Sequence, residues 1–163
     1  MPSAIQALEP IDLDGQKALQ VSVGVFHSCV LVESGQVTCW GYNGSGQLGW
    51  LPLMYRDGKG CWIRNDDRTL NDDGTCNVDG TLKVHTERNF YGYQAGEMGE
   101  NLGSINFGNG KKVRKITSAR NHSCALFEDH SVKCWGENQN GALGTGNSVY
   151  KGIAEDDIKD MNP

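Results

Sequence analysis

The cysteines carry the most specific chemistry in this 163-residue sequence, and they fall into pairs. Cys29 and Cys39 are ten positions apart, and Cys124 and Cys134 repeat that spacing. Cys61 and Cys76 form the remaining pair. An even cysteine count with a repeated spacing indicates disulfides, which form and persist in oxidising compartments. Six cysteines permit other connectivities, so the spacing favours this pairing without proving it.

The sequence between the paired cysteines fits a β-hairpin. A turn centred on Ser34 places Cys29 directly opposite Cys39, and a turn centred on Asp129 does the same in the second copy. Opposed residues on antiparallel strands have Cα atoms about 4.5 to 5.5 Å apart, which a disulfide spans. Two hairpins, each with a cross-strand disulfide, are therefore predicted.

Zinc binding is the competing chemistry for the first pair. His27, Cys29 and Cys39 offer soft ligands, but a structural zinc site takes four, commonly with closely spaced cysteines. Neither copy supplies a fourth ligand. Disulfides are the favoured prediction, free buried thiols and zinc are the alternatives, and no metal site or cofactor is predicted.

The sequence gives little support for catalysis. It contains no Gly-x-Ser-x-Gly elbow, no phosphate-binding Gly-Lys loop and no His-Glu-x-x-His motif. His27 and His122 occupy equivalent positions in two copies of one sequence, which is typical of structural residues. The prediction is that the protein is not an enzyme and has no catalytic residues.

The paired elements belong to a longer internal repeat. Residues 27–49 (HSCVLVESGQVTCWGYNGSGQLG) and 122–144 (HSCALFEDHSVKCWGENQNGALG) are identical at 13 of 23 positions. Apolar residues upstream also correspond, with Ile11 matching Ile105 and Leu13 matching Phe107. The predicted division is a first repeat in residues 1–50, a disulfide-closed insertion in 51–96 and a second repeat in 97–149. Residues 150–163 start a third repeat or form a tail.

Short strands account for the pattern within each repeat. Residues 18–23 (ALQVSV) and 112–118 (KVRKITS) alternate as half-buried strands do. Segments 28–32 and 36–40 follow in the first copy, and 123–127 and 131–135 follow in the second. The 22 glycines fit many tight turns. The predicted fold class is all-β, with three or four antiparallel strands per unit.

These residues carry a family resemblance. The two copies resemble the repeat of the regulator of chromosome condensation family, whose pattern ends in Trp-Gly-x-Asn-x-x-Gly-Gln-Leu-Gly. His130 departs from the pattern where a turn glycine is expected, and Ala142 departs where glutamine is expected. The positions assigned to the repeat core are His27, Leu31, Trp40, Gly41, Leu48, His122, Leu126, Trp135, Gly136 and Leu143.

The resemblance implies a β-propeller built from four-stranded blades. It also implies protein binding as the general role, with the paired cysteines indicating a secreted or surface variant. Trp40 and Trp135 are expected to occupy equivalent buried sites that pack one blade on the next. The chain is long enough for two blades, or for two and the start of a third, so an incomplete propeller is expected. Its end blades would each leave an apolar face for further blades or further copies of the chain.

The insertion is the segment that the repeat does not explain. Asp72, Asp73 and Asp79 make it acidic, so a weak calcium site is an alternative to a solvated loop. Residues 82–87 (LKVHTE) resemble one further strand. The aromatic residues of this segment would form either an adhesive surface or a small core of the insertion: Tyr55, Trp62, Phe90, Tyr91 and Tyr93.

Charge and hydropathy exclude some partners and suggest a location. A formal net charge of −5 gives no basic surface for nucleic acid. No apolar run approaches the roughly 18 residues of a membrane span. No signal peptide is visible, yet the cysteines favour an extracellular or cell-surface location. Asn43 and Asn121 lie in glycosylation sequons.

Two functions are consistent with these observations. The first is a non-catalytic protein-interaction or assembly module, whose partners are other proteins or further copies of the chain. The alternative is a carbohydrate- or matrix-binding structural subunit of an extracellular ring or filament, with glycans as partners. Retention on glycans would separate the second from the first.

Overall fold

The computed structural model describes residues 9–50, 55–56, 62–63, 90–92, 97–153 and 157–161. This part of the chain is all-β, as predicted, and its strands are short and antiparallel. The strands are β1 (Ala18–Val23), β2 (His27–Val32), β3 (Val37–Tyr42), β4 (Tyr55–Arg56), β5 (Trp62–Ile63), β6 (Phe90–Tyr91), β7 (Val113–Ser118), β8 (His122–Phe127) and β9 (Val132–Gly136).

The first blade is a four-stranded sheet with the order β1-β2-β3-β6. Its central hairpin, β2 and β3, has Cys29 directly opposite Cys39. The two residues are disulfide-bonded, with Cα atoms 4.1 Å apart. A β-bulge at the start of β1 shifts its register with β2. The hairpin geometry that the cysteine spacing requires is therefore present.

The second blade repeats this arrangement with β7, β8 and β9. Cys124 lies opposite Cys134 and is bonded to it, with Cα atoms 4.0 Å apart. Gly136 at the end of β9 forms an isolated bridge with Lys151. This bridge corresponds to the pairing of Gly41 with Tyr91 in the first blade.

The outermost strand of each blade thus comes after the glycine-rich loop. In the first blade it is β6, inside the range assigned to the insertion. In the second blade Lys151 takes its place, inside the range assigned to a tail or third repeat. Tyr91 and Lys151 therefore hold equivalent outer-strand positions in the two blades.

Only part of the insertion is described. β4 and β5 pair antiparallel, with Tyr55 opposite Ile63. The predicted strand at 82–87, the Cys61–Cys76 pair and the calcium candidates Asp72, Asp73 and Asp79 lie outside the described residues. Among the residues that are described, no group of three or more metal-ligating side chains occurs. The described residues also contain no helix long and apolar enough to cross a membrane.

The blades pack face to face, and the register identifies the two faces of each. We call "front" the face that in the second blade carries Ile116, Ser123, Ala125, Phe127 and Trp135, and in the first carries Val21, Ser28, Val30, Val32 and Trp40. The opposite face is the "back". The back of the first blade carries Gln20, Ser22, His27, Cys29, Leu31, Val37 and Cys39.

The core lies where the front of the second blade meets the back of the first. Phe127 and Trp135 are fully buried there beside the Cys29–Cys39 disulfide and Leu31. Phe107 joins them, with its ring 5.1 Å from that of Phe127 and 5.5 Å from that of Trp135. The interface between blades is therefore the main hydrophobic core of the described chain.

Candidate interaction surface

The boundary between the two blades shows what a blade face requires of its neighbour. Gln20 projects from β1 and binds the backbone of Ile116 on β7 with both ends of its amide. Its Nε2 donates to the Ile116 carbonyl oxygen at 2.6 Å, and its Oε1 accepts from the Ile116 N–H at 2.9 Å. A side chain thus satisfies the backbone groups of a strand in the adjacent blade, which would otherwise be buried without partners.

Hydroxyl and imidazole groups continue the polar contacts along the same boundary. The Ser118 N–H donates to Ser22 Oγ at 2.7 Å. His27 Nε2 lies 2.8 Å from Ser123 Oγ, which also donates to Ser118 Oγ at 2.9 Å. His27 is only 3% exposed. The polar residues of the first blade's back face therefore bind the second blade rather than water.

The buried position of His27 changes its protonation. Burial, together with a smaller contribution from the positive charge that His122 can carry, lowers its pKa from 6.5 to about 4. Because the neutral imidazole forms the hydrogen bond to Ser123, protonation would place a charge inside the boundary. His27 is a structural residue of the interface.

The glycine-rich loop of the first blade receives the tryptophan of the second. Trp135 Nε1 donates to the Gln47 carbonyl oxygen at 3.0 Å. Gly49 has a φ of +72°, and a Cβ there would lie 2.8 Å from Trp135 Nε1. Asn43 shapes the loop by accepting the Leu48 N–H at 3.0 Å. The Gly-Gln-Leu-Gly sequence (Gly46 to Gly49) therefore forms the packing site, here called the seat, for the tryptophan of the following blade.

Within the described part of the chain, no second blade covers the front face of the first blade. Val21 is 60% exposed, whereas Ile116 at the equivalent position is 1% exposed. Ile11 is 54% exposed, whereas its counterpart Ile105 is 6% exposed. Val23 is also exposed. Although Val30 and Val32 on the middle strand are buried, the β1 side of this face lies open to solvent.

The two tryptophans differ in burial because only one of them packs against a neighbouring blade. Both occupy equivalent register positions, opposite Ser28 and Ser123 respectively. Trp135 is fully buried, but Trp40 is half-buried. The prediction of equivalent buried sites is therefore wrong for Trp40, because burial of the indole depends on the loop of a preceding blade.

The back face of the second blade is the complementary open surface. The Cys124–Cys134 disulfide is half-exposed, whereas Cys29–Cys39 is fully buried. Val132 is 49% exposed at the position of fully buried Val37. His122 and Leu126, assigned to the repeat core from sequence, are also half-exposed, because no further blade among the described residues covers them. The described chain thus presents an open back face on the second blade and, along β1, an open part of the front face on the first blade.

An exposed aromatic row runs beside the open front face. The Phe26 and Tyr42 rings are 6.4 Å apart, and the Tyr42 and Phe90 rings are 5.1 Å apart. Phe26 is 65% exposed and Phe90 is 57% exposed. In the second blade the positions of Phe26 and Tyr42 hold Asn121 and Glu137, which are hydrogen-bonded at 2.7 Å. The row is therefore particular to the first blade.

The other residues assigned to the repeat core contribute to packing or to backbone geometry. Leu31, Leu48 and Leu143 are buried, and the Gly136 N–H bonds to Lys151. Gly41 adopts a φ of +106° against the backbone of Phe26 and His27. Glycosylation at Asn43 and Asn121 stays a prediction.

Sequence reasoning missed the residues that join the blades. The alternation in β1 marks Val21 and Val23 as its apolar side, yet these face solvent, while Gln20 and Ser22 face the second blade. The available signal was that Gln20 and Ser22 have Lys115 and Thr117, other hydrogen-bonding residues, at the matching positions. Trp50 was also missed; its Nε1 donates to the Cys39 carbonyl oxygen and its ring packs 4.6 Å from that of Tyr91.

Comparison with known proteins agrees with this geometry. The regulator of chromosome condensation (RCC1) repeat matches residues 19–47 and 113–142. The ultraviolet-B receptor UVR8 of Arabidopsis thaliana is 28% identical over 153 residues, which cover 87% of this chain and 34% of the receptor. The mitochondrial RCC1 domain-containing protein RUG3 of the same plant is 46% identical over 37 residues, which cover 23% of this chain and 8% of RUG3.

Solved structures share the fold at lower identity. Yeast RCC1 (Prp20), crystallised with Kap60, has a TM-score of 0.53 at 16% identity over 90% of this chain. Human WBSCR16 has a TM-score of 0.51 at 19% identity over 84% of this chain. In both cases the match covers 25% of the solved chain.

The chain spans about a third or less of the length of each of these relatives. Its two disulfide-bonded hairpins coincide with the two matched segments, and its sheets have the antiparallel architecture of propeller blades. Residues 19–47 and 113–142 of this chain thus match the regulator of chromosome condensation repeat, and each matched segment is built as an antiparallel sheet with a disulfide-bonded hairpin.

Proposed function

We propose that the chain is a non-catalytic protein-interaction and assembly module that acts through the open faces of its two blades. One observation carries this proposal. Val21 and Trp40 are exposed or half-exposed at positions where Ile116 and Trp135 are buried against another blade. A surface with the composition of a blade interface, left open, is suited to bind a protein.

The relatives support the general role and not a particular partner. The yeast protein Prp20 is described as bound to Kap60 and as binding Gsp1p and histones. At 16% identity this likeness concerns the fold, so those partners are not transferred. Protein binding is the property that we carry over.

The site chemistry is consistent with a non-catalytic role. Ser123 and His27 form the hydroxyl–imidazole contact that a nucleophile and its base would make. Ser123 is 1% exposed and lies inside the blade boundary, where a substrate has no access. This pair therefore holds the two blades together.

We place the protein outside the cell or on its surface. The two cross-strand disulfides support this, because such bonds persist in oxidising compartments. Non-reducing peptide mapping of the protein from its native source should recover both bonds. Recovery of free thiols at these positions would contradict the proposed location.

Binding of an environment-sensitive apolar dye tests the interaction surface. We expect dilute protein to bind the dye, and the Val21→Ser, Val23→Ser variant to lose most of that fluorescence. Val149→Ser is the matched control, because Val149 is 57% exposed outside the β-strands. Absence of dye binding, or an equal loss in the control, would contradict the proposed surface.

Carbohydrate binding is the second candidate function, and the aromatic row of Phe26, Tyr42 and Phe90 favours it. Exposed rings offer the flat apolar surfaces on which a sugar face can pack. A glycan array probed with the protein and with Phe26→Asn, Phe90→Ser tests this function. Glycan retention that the variant loses would support it, and absence of retention would exclude it for the glycans displayed.

A further inference from the structure

We propose that the open front face of the first blade is covered by the back face of the second blade of another copy, so that copies join head to tail. This inference rests on the proposed function and names the partner of the same surface. The contact between the two blades of one chain provides its template.

The apolar and disulfide positions of that template are preserved in the open back face. The Cys29–Cys39 disulfide corresponds to Cys124–Cys134, with the same cross-strand position in the hairpin. Leu31 corresponds to Leu126, and Val37 corresponds to Val132, by the same register. The packing surface that covers Ile116 and Trp135 within the chain is therefore available for Val21 and Trp40 of another copy.

Two polar positions of the back face keep their hydrogen-bonding groups as well. His27 binds Ser123 within the chain, and their counterparts His122 and Ser28 are a histidine and a serine again. Ser22 accepts the backbone N–H of Ser118, and its counterpart Thr117 carries a hydroxyl that can accept the N–H of Val23.

The seat for the tryptophan is also repeated. Trp135 donates to the Gln47 carbonyl oxygen, and the matching backbone carbonyl belongs to Ala142. Gly49, which the indole of Trp135 closely approaches, corresponds to Gly144, with a φ of +70°. Nothing lies within 4 Å of the Cβ position at Gly144, so this seat is open.

On the open front face, Val32 and Val23 stand where Phe127 and Ser118 stand in the template. Among the back-face side chains that form hydrogen bonds across the boundary, one does not match. Lys115 occupies the place of Gln20, and an ammonium group donates hydrogen bonds but cannot accept one. Lys115 can donate to a backbone carbonyl oxygen, as Gln20 Nε2 does. It cannot accept the N–H of the same residue, as Gln20 Oε1 does. The contact between copies is therefore weaker than the contact within the chain, and Lys115 is one of the residues that make it weaker.

The two open faces lie on different blades, so the contact is heterologous and each copy uses both faces. Repetition of the contact closes a ring if the rotation permits and otherwise extends a filament.

Sedimentation velocity of the full chain from low micromolar to submillimolar concentration tests the proposal. We expect reversible association in the wild type and loss of association in Val21→Asp, which places a carboxylate in the contact. Lys115→Gln restores the complete amide contact and should tighten Kd about tenfold. Lys112→Gln removes the same charge from an exposed residue outside the paired strands and should leave Kd unchanged.

The outcomes distinguish this inference from the proposed function. A wild type and a Lys115→Gln variant that both stay monomeric at every concentration overturn the head-to-tail contact. If that monomer still binds the apolar dye, the interaction surface stands and its partner is another protein. Equal tightening by Lys112→Gln, or association that persists in Val21→Asp, also overturns the contact. The gain expected for Lys115→Gln does not depend on whether Val21→Asp folds.

Discussion

The indole of Trp135 donates a hydrogen bond across the blade boundary to the backbone carbonyl oxygen of Gln47, 3.0 Å away. Trp135 is fully buried by this contact and by the Phe107 ring. Trp40 has the same place in the first blade and is half-buried. One repeat position is thus a core residue in one blade and an interface residue in the other.

Replacing these tryptophans should separate the two roles. Trp135→Ala should lower the free energy of unfolding by about 3 to 5 kcal/mol, because it empties a packed site. Trp40→Ala should cost clearly less in dilute protein, because part of its side chain is already solvated. Urea unfolding of both variants at low concentration measures the difference. Equal losses of unfolding free energy in the two variants would show that both tryptophans are buried to the same extent.

The turn position of Gly35 and His130 gives a second prediction. Both residues have positive φ, +83° for Gly35 and +67° for His130, and both donate their N–H to the residue three positions earlier. A histidine pays a steric penalty there that glycine avoids. His130→Gly should therefore raise the free energy of unfolding by about 0.5 to 1 kcal/mol, after the entropic cost of glycine.

Gly35→His is the matched reverse change. No atom lies within 4 Å of a Cβ built on Gly35, so its cost would come from the backbone alone. It should lower stability by a similar amount in thermal unfolding. A destabilising His130→Gly would show that the imidazole makes a contact worth more than the strain.

The two disulfides should differ in their rate of reduction. Cys29–Cys39 is fully buried between the blades, whereas Cys124–Cys134 is half-exposed on the open back face. A thiolate reductant must reach a sulfur atom, so Cys124–Cys134 should open first in the folded protein. Timed alkylation with mass spectrometry measures the order. Reduction of Cys29–Cys39 first, or of both together below the unfolding transition, would contradict the burial of the first pair.

Stability should fall with acidification through one identified histidine. His27 has a pKa of about 4 in the folded chain, below its ordinary value of 6.5. The unfolded chain therefore binds a proton first, and stability should drop progressively from pH 6.5 to about pH 4. The shift corresponds to about 3 kcal/mol across this window.

His27→Gln is the control for that titration. It removes the titrating group and retains hydrogen-bonding capacity toward Ser123. Its stability should be lower at neutral pH but should decline less between pH 6.5 and 4. A variant whose pH profile parallels the wild type would assign the acid sensitivity to other groups.

The hairpins could be predicted from sequence because their determinants are local. Cys29 and Cys39, like Cys124 and Cys134, sit symmetrically about a turn, and the duplicated segment repeats every element of it. The outer strand β6 could not be predicted, because it pairs with β3 across a long intervening segment. No local periodicity marks its partner.

The faces of the blades could not be predicted for a different physical reason. Val21 and Ile116 have the same local pattern and pair with equivalent residues, yet one is exposed and the other is buried. The difference comes from the neighbour that covers each residue, which is a tertiary property. Gln20 was missed likewise, because its partner is the backbone of a strand 96 residues away.

Residue-resolved hydroxyl-radical footprinting at two protein concentrations tests the central claim most directly. In dilute protein, Val21 and Trp40 should be labelled severalfold faster than Ile116 and Trp135. At high concentration, Val21 and Trp40 should become protected together with Leu126 and Val132 on the opposite open face. Equal labelling of the equivalent residues in dilute protein would contradict the claim that the first blade presents an open interface.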